Sequence, residues 1–315
     1  MPMDRQKIII DTDPGQDDAI AIMLALASPQ IELLGLIAAT GNVPVTQTAE
    51  NACKILELAQ RPDIKVYKGC PRPMRRPPIN AQHVHGQTGM DGPTLPTPKH
   101  QPEAQHGVSF LLETLANHPE HSITLVTIGP MTNLATALIQ APDVVKRLKQ
   151  VVAMGGAWSE TGNISPAAEF NAFADPDAAA IVLNSGLPVT LVPLDVTHSF
   201  LITTDRLQAL SALSGTCARA AYEMLTFSSR FDLEKYGWSG APLHDPCTIG
   251  WLLAPQLFTG RNVNVEVEVA SPLTLGATVV DWWNVTNRPI NAHFLRTVDA
   301  DQLWALILDG LSRLP

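Results

Sequence analysis

Uninterrupted apolar runs alternate along this chain with segments whose apolar residues recur at helical spacing. The runs are "KIIID" at 7–11, "IELLGLIAAT" at 31–40, "KVYKG" at 65–69, "SITLVTIG" at 122–129, "QVVAMGG" at 150–156 and "LPVTLVPLDVT" at 187–197. Strands that are apolar on both faces belong to a mainly parallel sheet covered on each side. Helices are expected from the first run to Ala27, over Thr46–Leu58 and after Pro130. This rhythm predicts an α/β fold: a single open, doubly wound, Rossmann-like sheet with helices on both faces. No repeat or low-complexity linker divides the chain, so one domain over residues 1–315 is expected. "NVNVEVEV" and "ATVVDW" near the C-terminus alternate apolar with polar residues and read as peripheral strands. Two long segments break the rhythm, Cys70–Pro102 and Trp158–Asp175, and loops of that length usually carry function.

The end of the first run holds the densest chemistry. "KIIIDTDPGQDDAIAI" puts Asp11, Asp13, Asp17 and Asp18 at the end of a strand, round a Pro14-Gly15 turn and into a helix start. That is the carboxyl edge of the sheet, where ligands of open α/β folds bind. A helix N-terminus stabilises nearby negative charge by only about 0.3–1 kcal/mol per group. Four carboxylates together call for a divalent cation, and all-oxygen donors suit Ca²⁺ or Mg²⁺. An EF-hand does not fit, because counting from Asp11 the sixth position is Gln16 and the twelfth Ile22. A haloacid-dehalogenase-type phosphatase wants Thr or Val where Gly15 stands.

Composition narrows the partners. Lys plus Arg number 21 against 30 Asp plus Glu, a formal charge of −9, with no basic stripe to offset it. That balance argues against nucleic acid or an anionic membrane as partner. Arg72, Arg75 and Arg76 cluster among prolines and read as a solvated loop. No apolar run is long enough for a membrane helix, and Met1–Arg5 leads into the first strand without the pattern of a signal peptide. A cytoplasmic location is the expectation. Cys53, Cys70, Cys217 and Cys247 form no CxxC pair and are expected to be reduced.

"DTDPGQDDAIAI" resembles the signature of the inosine–uridine preferring nucleoside hydrolases. The similarity continues in order through Gly41-Asn42, "VHGQTGMDG" at 84–92, "GPMTNLA" at 129–135, "MGGA" at 154–157, "GNISPAAEFN" at 162–171, Asp175-Pro176 and "APLHDPC" at 241–247. The resemblance implies Ca²⁺ held by Asp13, Asp18, Asp245 and the main-chain carbonyl of Ile128. It implies that this ion acidifies a water and aligns ribose hydroxyls, with Asp13 taking the water's proton. Asp17, Asn42, Met154, Asn163, Glu169, Asn171 and Asp245 are then expected to bind the ribose. His244, seconded by His85, is expected to meet the departing base, and His83 is read as loop surface. Relatives are commonly dimers or tetramers, so a homo-oligomer, such as a homotetramer, is expected.

The nucleobase wall should come from "YEMLTFSSRFDLEKYGWSGAPLHDPC", 222–247. Purine-accepting relatives tend to place tyrosines on this helix; the corresponding positions are Ser228 and Asp232, with Phe227, Phe231 and Tyr236 close by. "KYGWSGAPLHDP" and "VHGQTGMDGPTLP" look most like the pyrimidine-specific ribonucleoside hydrolases. Uridine and cytidine are therefore the expected substrates, with a nonspecific or purine-preferring hydrolase as the alternative. From other classes, a phosphohydrolase predicts a Lys or nest near a phosphate, and a nucleoside- or ribose-binding protein predicts retention without cleavage.

Overall fold

A computed structural model describes residues 5–315; residues 1–4, on which part of the signal-peptide expectation rests, lie outside the described residues. Among the described residues eleven strands are found in chain order: β1 Gln6–Thr12, β2 Ile31–Ala38, β3 Val66–Lys68, β4 Ile123–Thr127, β5 Gln150–Met154, β6 Val189–Val192, β7 Leu201–Thr203, β8 Gly240–Pro242, β9 Phe258–Val267, β10 Thr278–Asp281 and β11 Ala292–Val298. Nine form one sheet in the order β10-β9-β11-β6-β5-β4-β1-β2-β3, while β7 and β8 pair separately. From β11 to β3 every pairing is parallel; β9 runs antiparallel to both β11 and β10. The predicted mainly parallel α/β sheet is thus what the chain forms.

The apolar runs become the centre of this sheet. Ile8, Ile9 and Ile10 are fully buried, and alternate side chains serve two cores, one on each face of the sheet. Fully burying one such side chain stabilises by about 1.5–3 kcal/mol. The helix Gln16–Ala27 is apolar almost all round because it is enclosed: it packs against β2 and against helices Pro246–Leu253, Thr216–Tyr236 and Ala300–Leu311. Only its first turn is acidic, and that turn faces the carboxyl edge.

Several boundaries differ from expectation for local reasons. Pro193 ends the run "LPVTLVPLDVT" after Val192, and a short helix Leu194–Thr197 follows. The segment 70–102 contains one helical turn, Gln82–His85. The alternating segments near the C-terminus do form the sheet margin, but β11, which alternates His293 and Arg296 with apolar residues, inserts between β9 and β6. The four cysteines are free. No helix among the described residues is long and apolar enough to cross a membrane.

The strand order reverses between β1 and β4, so their ends open a crevice. Asn133 fixes that junction. Its Nδ2 donates to Asp11 Oδ1 at 2.8 Å and its Oδ1 accepts from the Cys70 amide at 2.7 Å. Asp11 is thereby directed away from the crevice, its other oxygen has no hydrogen-bond partner, and burial pushes its pKa up to about 7. Removing a partner from a buried polar group costs about 1–3 kcal/mol. Asn133→Ala is expected to lower unfolding stability by about 3 kcal/mol, seen as a reduced urea midpoint at constant slope; an unchanged midpoint would show that this bridge is dispensable.

Candidate active site

The crevice deepens into a cavity enclosing about 1210 Å³ including its open mouth. Its lining includes Asp13, Asp17, Asp18, Asn42, His85, Ile128, Met154, Asn163, Glu169, Asn171, His244 and Asp245, which is every site residue expected from the sequence. Among the described residues no Lys or Arg lines it. The basic side chain that a phosphohydrolase is expected to bring near its phosphate is therefore not among the residues lining it.

At the acidic end, carboxylate oxygens of Asp17, Asp18 and Asp245 all lie within 4.8 Å of one another. Asp13 stands outside that trio. Its Oδ2 accepts from the Asn42 amide at 2.7 Å, and a Cβ added at Gly129 would come within 2.5 Å of Oδ1. The main chain therefore passes close on both sides of Asp13 and fixes its orientation. Asp18 is held by Thr12 Oγ1 at 2.5 Å and by the Gly15 amide at 2.9 Å, at the first turn of its helix. Burial raises the pKa of Asp13 and Asp245 well above the carboxylate range, with neighbouring aspartates adding to the effect. Burial, then the Asp17 charge, lifts Asp18 to about 7. A dense, desolvated set of hard oxygens without a cationic side chain fits a divalent metal ion, and the residues present can hold one.

Next to this end lie the neutral donors. Asn171 Nδ2 donates to the carbonyls of Ile128 at 3.1 Å and Met154 at 3.2 Å, which leaves its Oδ1 open towards the cavity. Glu169 caps the helix Phe170–Ala174 and accepts from the amides of Asn171, Ala172 and Gly156. Burial nevertheless lifts its pKa to about 7. Asn163 Oδ1 accepts from the Phe170 amide at 2.9 Å, so the amide end of its side chain is the part left for a ligand. These contacts make Glu169 and Asn163 architectural as well as available to a ligand, a second duty the sequence did not disclose.

Two histidines lie beside the carboxylates, His85 against Gly15 and Gln16 and His244 next to Asp245. Gln16 Nε2 donates to the carbonyls of His85 and Asp91, each at 3.0 Å, so its Oε1 accepts from His85 Nδ1 at 2.6 Å. Asn51 Nδ2 ties the same loop through the carbonyls of Pro14 and Thr88. His244 Nδ1 pairs with Thr197 Oγ1 at 2.8 Å, and burial lowers its pKa to about 4. The β7–β8 pairing holds the chain just before His244 against Leu201–Thr203.

An arc of rings completes the wall. His83 meets Phe231 edge-on, Phe231 meets Tyr236, Tyr236 stacks on Trp238 at 4.7 Å, and Trp238 meets His198. His83, expected as plain loop surface, is exposed but also forms part of the cavity rim. Phe227 is not part of the lining; its ring packs under the Arg230 guanidinium at 4.3 Å. Sequence reasoning missed Gln16, Thr197, Trp238 and the His198–Glu160 pair, 3.0 Å apart. Gln16 lies inside the recognised motif, which was a usable signal; the others are joined only by folding.

The comparisons with known proteins agree with this geometry. A family model described as inosine-uridine preferring nucleoside hydrolase matches residues 8–305. The chain is 50% identical over 309 residues to an uncharacterised protein, C1683.06c, of Schizosaccharomyces pombe, covering 98% of this chain and 100% of that one. It is 43% identical over 306 residues to the pyrimidine-specific ribonucleoside hydrolase RihA of Shewanella sp. strain ANA-3, covering 97% and 96%. Its structure resembles that of the purine-preferring ribonucleoside hydrolase from Gardnerella vaginalis with a TM-score of 0.90 at 31% identity, covering 97% and 98%. With the family matched over nearly the whole chain, this protein belongs to the inosine–uridine preferring nucleoside hydrolases, enzymes that act on the N-glycosidic bonds of ribonucleosides.

Proposed function

We propose that this chain is a Ca²⁺-dependent hydrolase of pyrimidine ribonucleosides, which it splits with water into ribose and the free base. The observation that carries this reading is a single cavity in which a cluster of carboxylates and two imidazoles stand together and face a wall of aromatic rings. The pyrimidine preference rests on likeness to RihA and on Ser228 and Asp232, which stand where purine-accepting relatives tend to carry tyrosines.

Asp13, Asp18, Asp245 and the Ile128 carbonyl would hold the ion. The chemistry Ca²⁺ supplies there is positive charge that lowers the proton affinity of an attacking water and draws in vicinal hydroxyls. Asp13 takes the water's proton: the Asn42 amide occupies one carboxylate oxygen and leaves the other for the transfer. Asp17, Asn42 and the Asn171 carbonyl orient the ribose 2′ and 3′ hydroxyls. Asn163 and Glu169 receive the 5′ end, and Met154 packs beside the sugar. Fixing the pentose in this way converts binding into alignment of C1′ with water.

His244 serves the leaving base. With Nδ1 engaged by Thr197 Oγ1, Nε2 is the ring nitrogen left to hydrogen-bond the base as the glycosidic bond breaks. His85 is set by Gln16, with Nδ1 protonated and Nε2 able to accept. The glycosidic electron pair passes to the base, which His244 steadies through that hydrogen bond and which takes a proton from solvent, while the proton lost by the attacking water leaves through Asp13.

Calcium affinity should follow pH with a definite sign. The carboxylates bind protons more tightly than free aspartate does, Asp18 near pH 7, so acidification neutralises ligands and displaces the ion. Calorimetric titration is expected to give Ca²⁺ affinity at least about tenfold weaker at pH 6 than at pH 8, and chelator-treated protein should release no ribose until Ca²⁺ is returned. An affinity indifferent to pH would exclude these carboxylates as ligands. Asp13→Ala should lower uridine kcat by at least about 100-fold, the scale of general base catalysis. His244→Ala should lower kcat by a similar factor with little change in KM, and a rise in KM alone would assign His244 to binding. In a panel of five ribonucleosides, uridine and cytidine should exceed inosine, guanosine and adenosine in kcat/KM; a purine at the head of the panel would remove the pyrimidine assignment.

A further inference from the structure

Asp232 lies on the long helix Thr216–Tyr236, in the wall that faces the acidic end, and it lines the cavity half-buried. The other cavity carboxylates belong to the acidic end or, like Glu169, are engaged by main-chain amides. Asp232 has no such engagement. Among the described residues no hydrogen bond or ion pair reaches it, and the cation that bears on it, Lys235, sits 4.9 Å over the rings of Phe231 and Tyr236. A carboxyl group among aromatic neighbours, short of donors, is completed by a ligand that brings one.

Building on the hydrolase reading above, we infer that Asp232 reads the exocyclic amino group of the base and makes cytidine preferred over uridine. The two pyrimidines differ at this edge. Cytosine presents an amino donor beside a ring-nitrogen acceptor, whereas uracil presents one N–H between two carbonyl oxygens. An aspartate carboxylate accepts from the cytosine amino group, the pairing by which acidic side chains recognise cytosine elsewhere. Against uracil the same oxygens meet a donor flanked by two repelling acceptors. Burial and the Asp17 charge lift the Asp232 pKa to about 6, so a protonated fraction is present near neutrality. That form matches uracil as well as cytosine, donating to a carbonyl oxygen and accepting from the ring N–H, so the preference belongs to the ionised carboxylate and strengthens as the pH rises above about 6. Ser228, one turn earlier on the same wall, carries a hydroxyl that donates or accepts and so favours neither base.

The test is kcat/KM for cytidine and for uridine with wild type, Asp232→Asn and Asp232→Ala, each variant first checked for an unchanged thermal midpoint. Wild type should favour cytidine. The cytidine-to-uridine ratio should fall about tenfold in both variants, the scale on which one base-edge contact discriminates. A purely structural Asp232 would depress both substrates alike and leave the ratio in place. A wild-type preference for uridine, or a ratio that moves less than about twofold in both variants, overturns the inference. If wild type releases ribose from neither nucleoside, the hydrolase reading fails, which is distinguishable from active wild type with an unmoved ratio.

Discussion

Carboxylates withdrawn from water at the edge of a sheet repel one another, and the cavity is arranged around that repulsion. At the spacing of Asp17, Asp18 and Asp245, within 4.8 Å, each ionised pair costs about 3 kcal/mol at an effective dielectric constant near 20. Hydrogen bonds from Thr12, Gly15 and Asn42 offset part of this and set directions, yet none of these donors brings a formal charge. The fold could have relieved the strain with a lysine or arginine, as buried charges usually do. Instead, among the described residues, no Lys or Arg lines the cavity, and the unmet negative potential is one that a divalent cation could answer.

Maintaining such a cluster requires a rigid frame. Its parts arrive from the ends of two parallel strands, from a helix start directly after β1 and from a distant turn at Asp245. The β1–β4 junction is closed by Asn133, and the enclosed helix Gln16–Ala27 cannot rotate without opening both cores. Close main-chain approach is equally important. A Cβ at Gly41 would collide with Asp13 Oδ2, so the small residue at this turn permits the Asn42 amide to reach that same oxygen.

Much of this was legible in the sequence, and the reason is local. Strands buried on both faces read as plain apolar runs, and "DTDPGQDD" brings strand end, turn and helix start together in a few residues. β11 was not legible, because its half-buried His293 and exposed Arg296 dilute the pattern, and β7 and β8 are only three residues long. In the site, the motif residues were found and their supports were not. His85 depends on Gln16, 69 residues away in the chain, and His244 on Thr197, 47 residues away. No sequence period registers such pairs. The double duty of Asn171, whose nitrogen clamps two carbonyls while its oxygen stays free, is likewise a property of the folded chain alone.

The carboxylates and the aromatic wall of the cavity are joined by a single turn of chain. His244 and Asp245 are adjacent, with Pro246 starting the helix behind them, so an imidazole and a carboxylate of the cavity are set by the same short segment. β8 anchors that segment to β7, and His198 extends the hold by contacting Glu160 on one side and Trp238 on the other. A ligand that reaches both the carboxylates and the aromatic wall therefore engages one short segment twice.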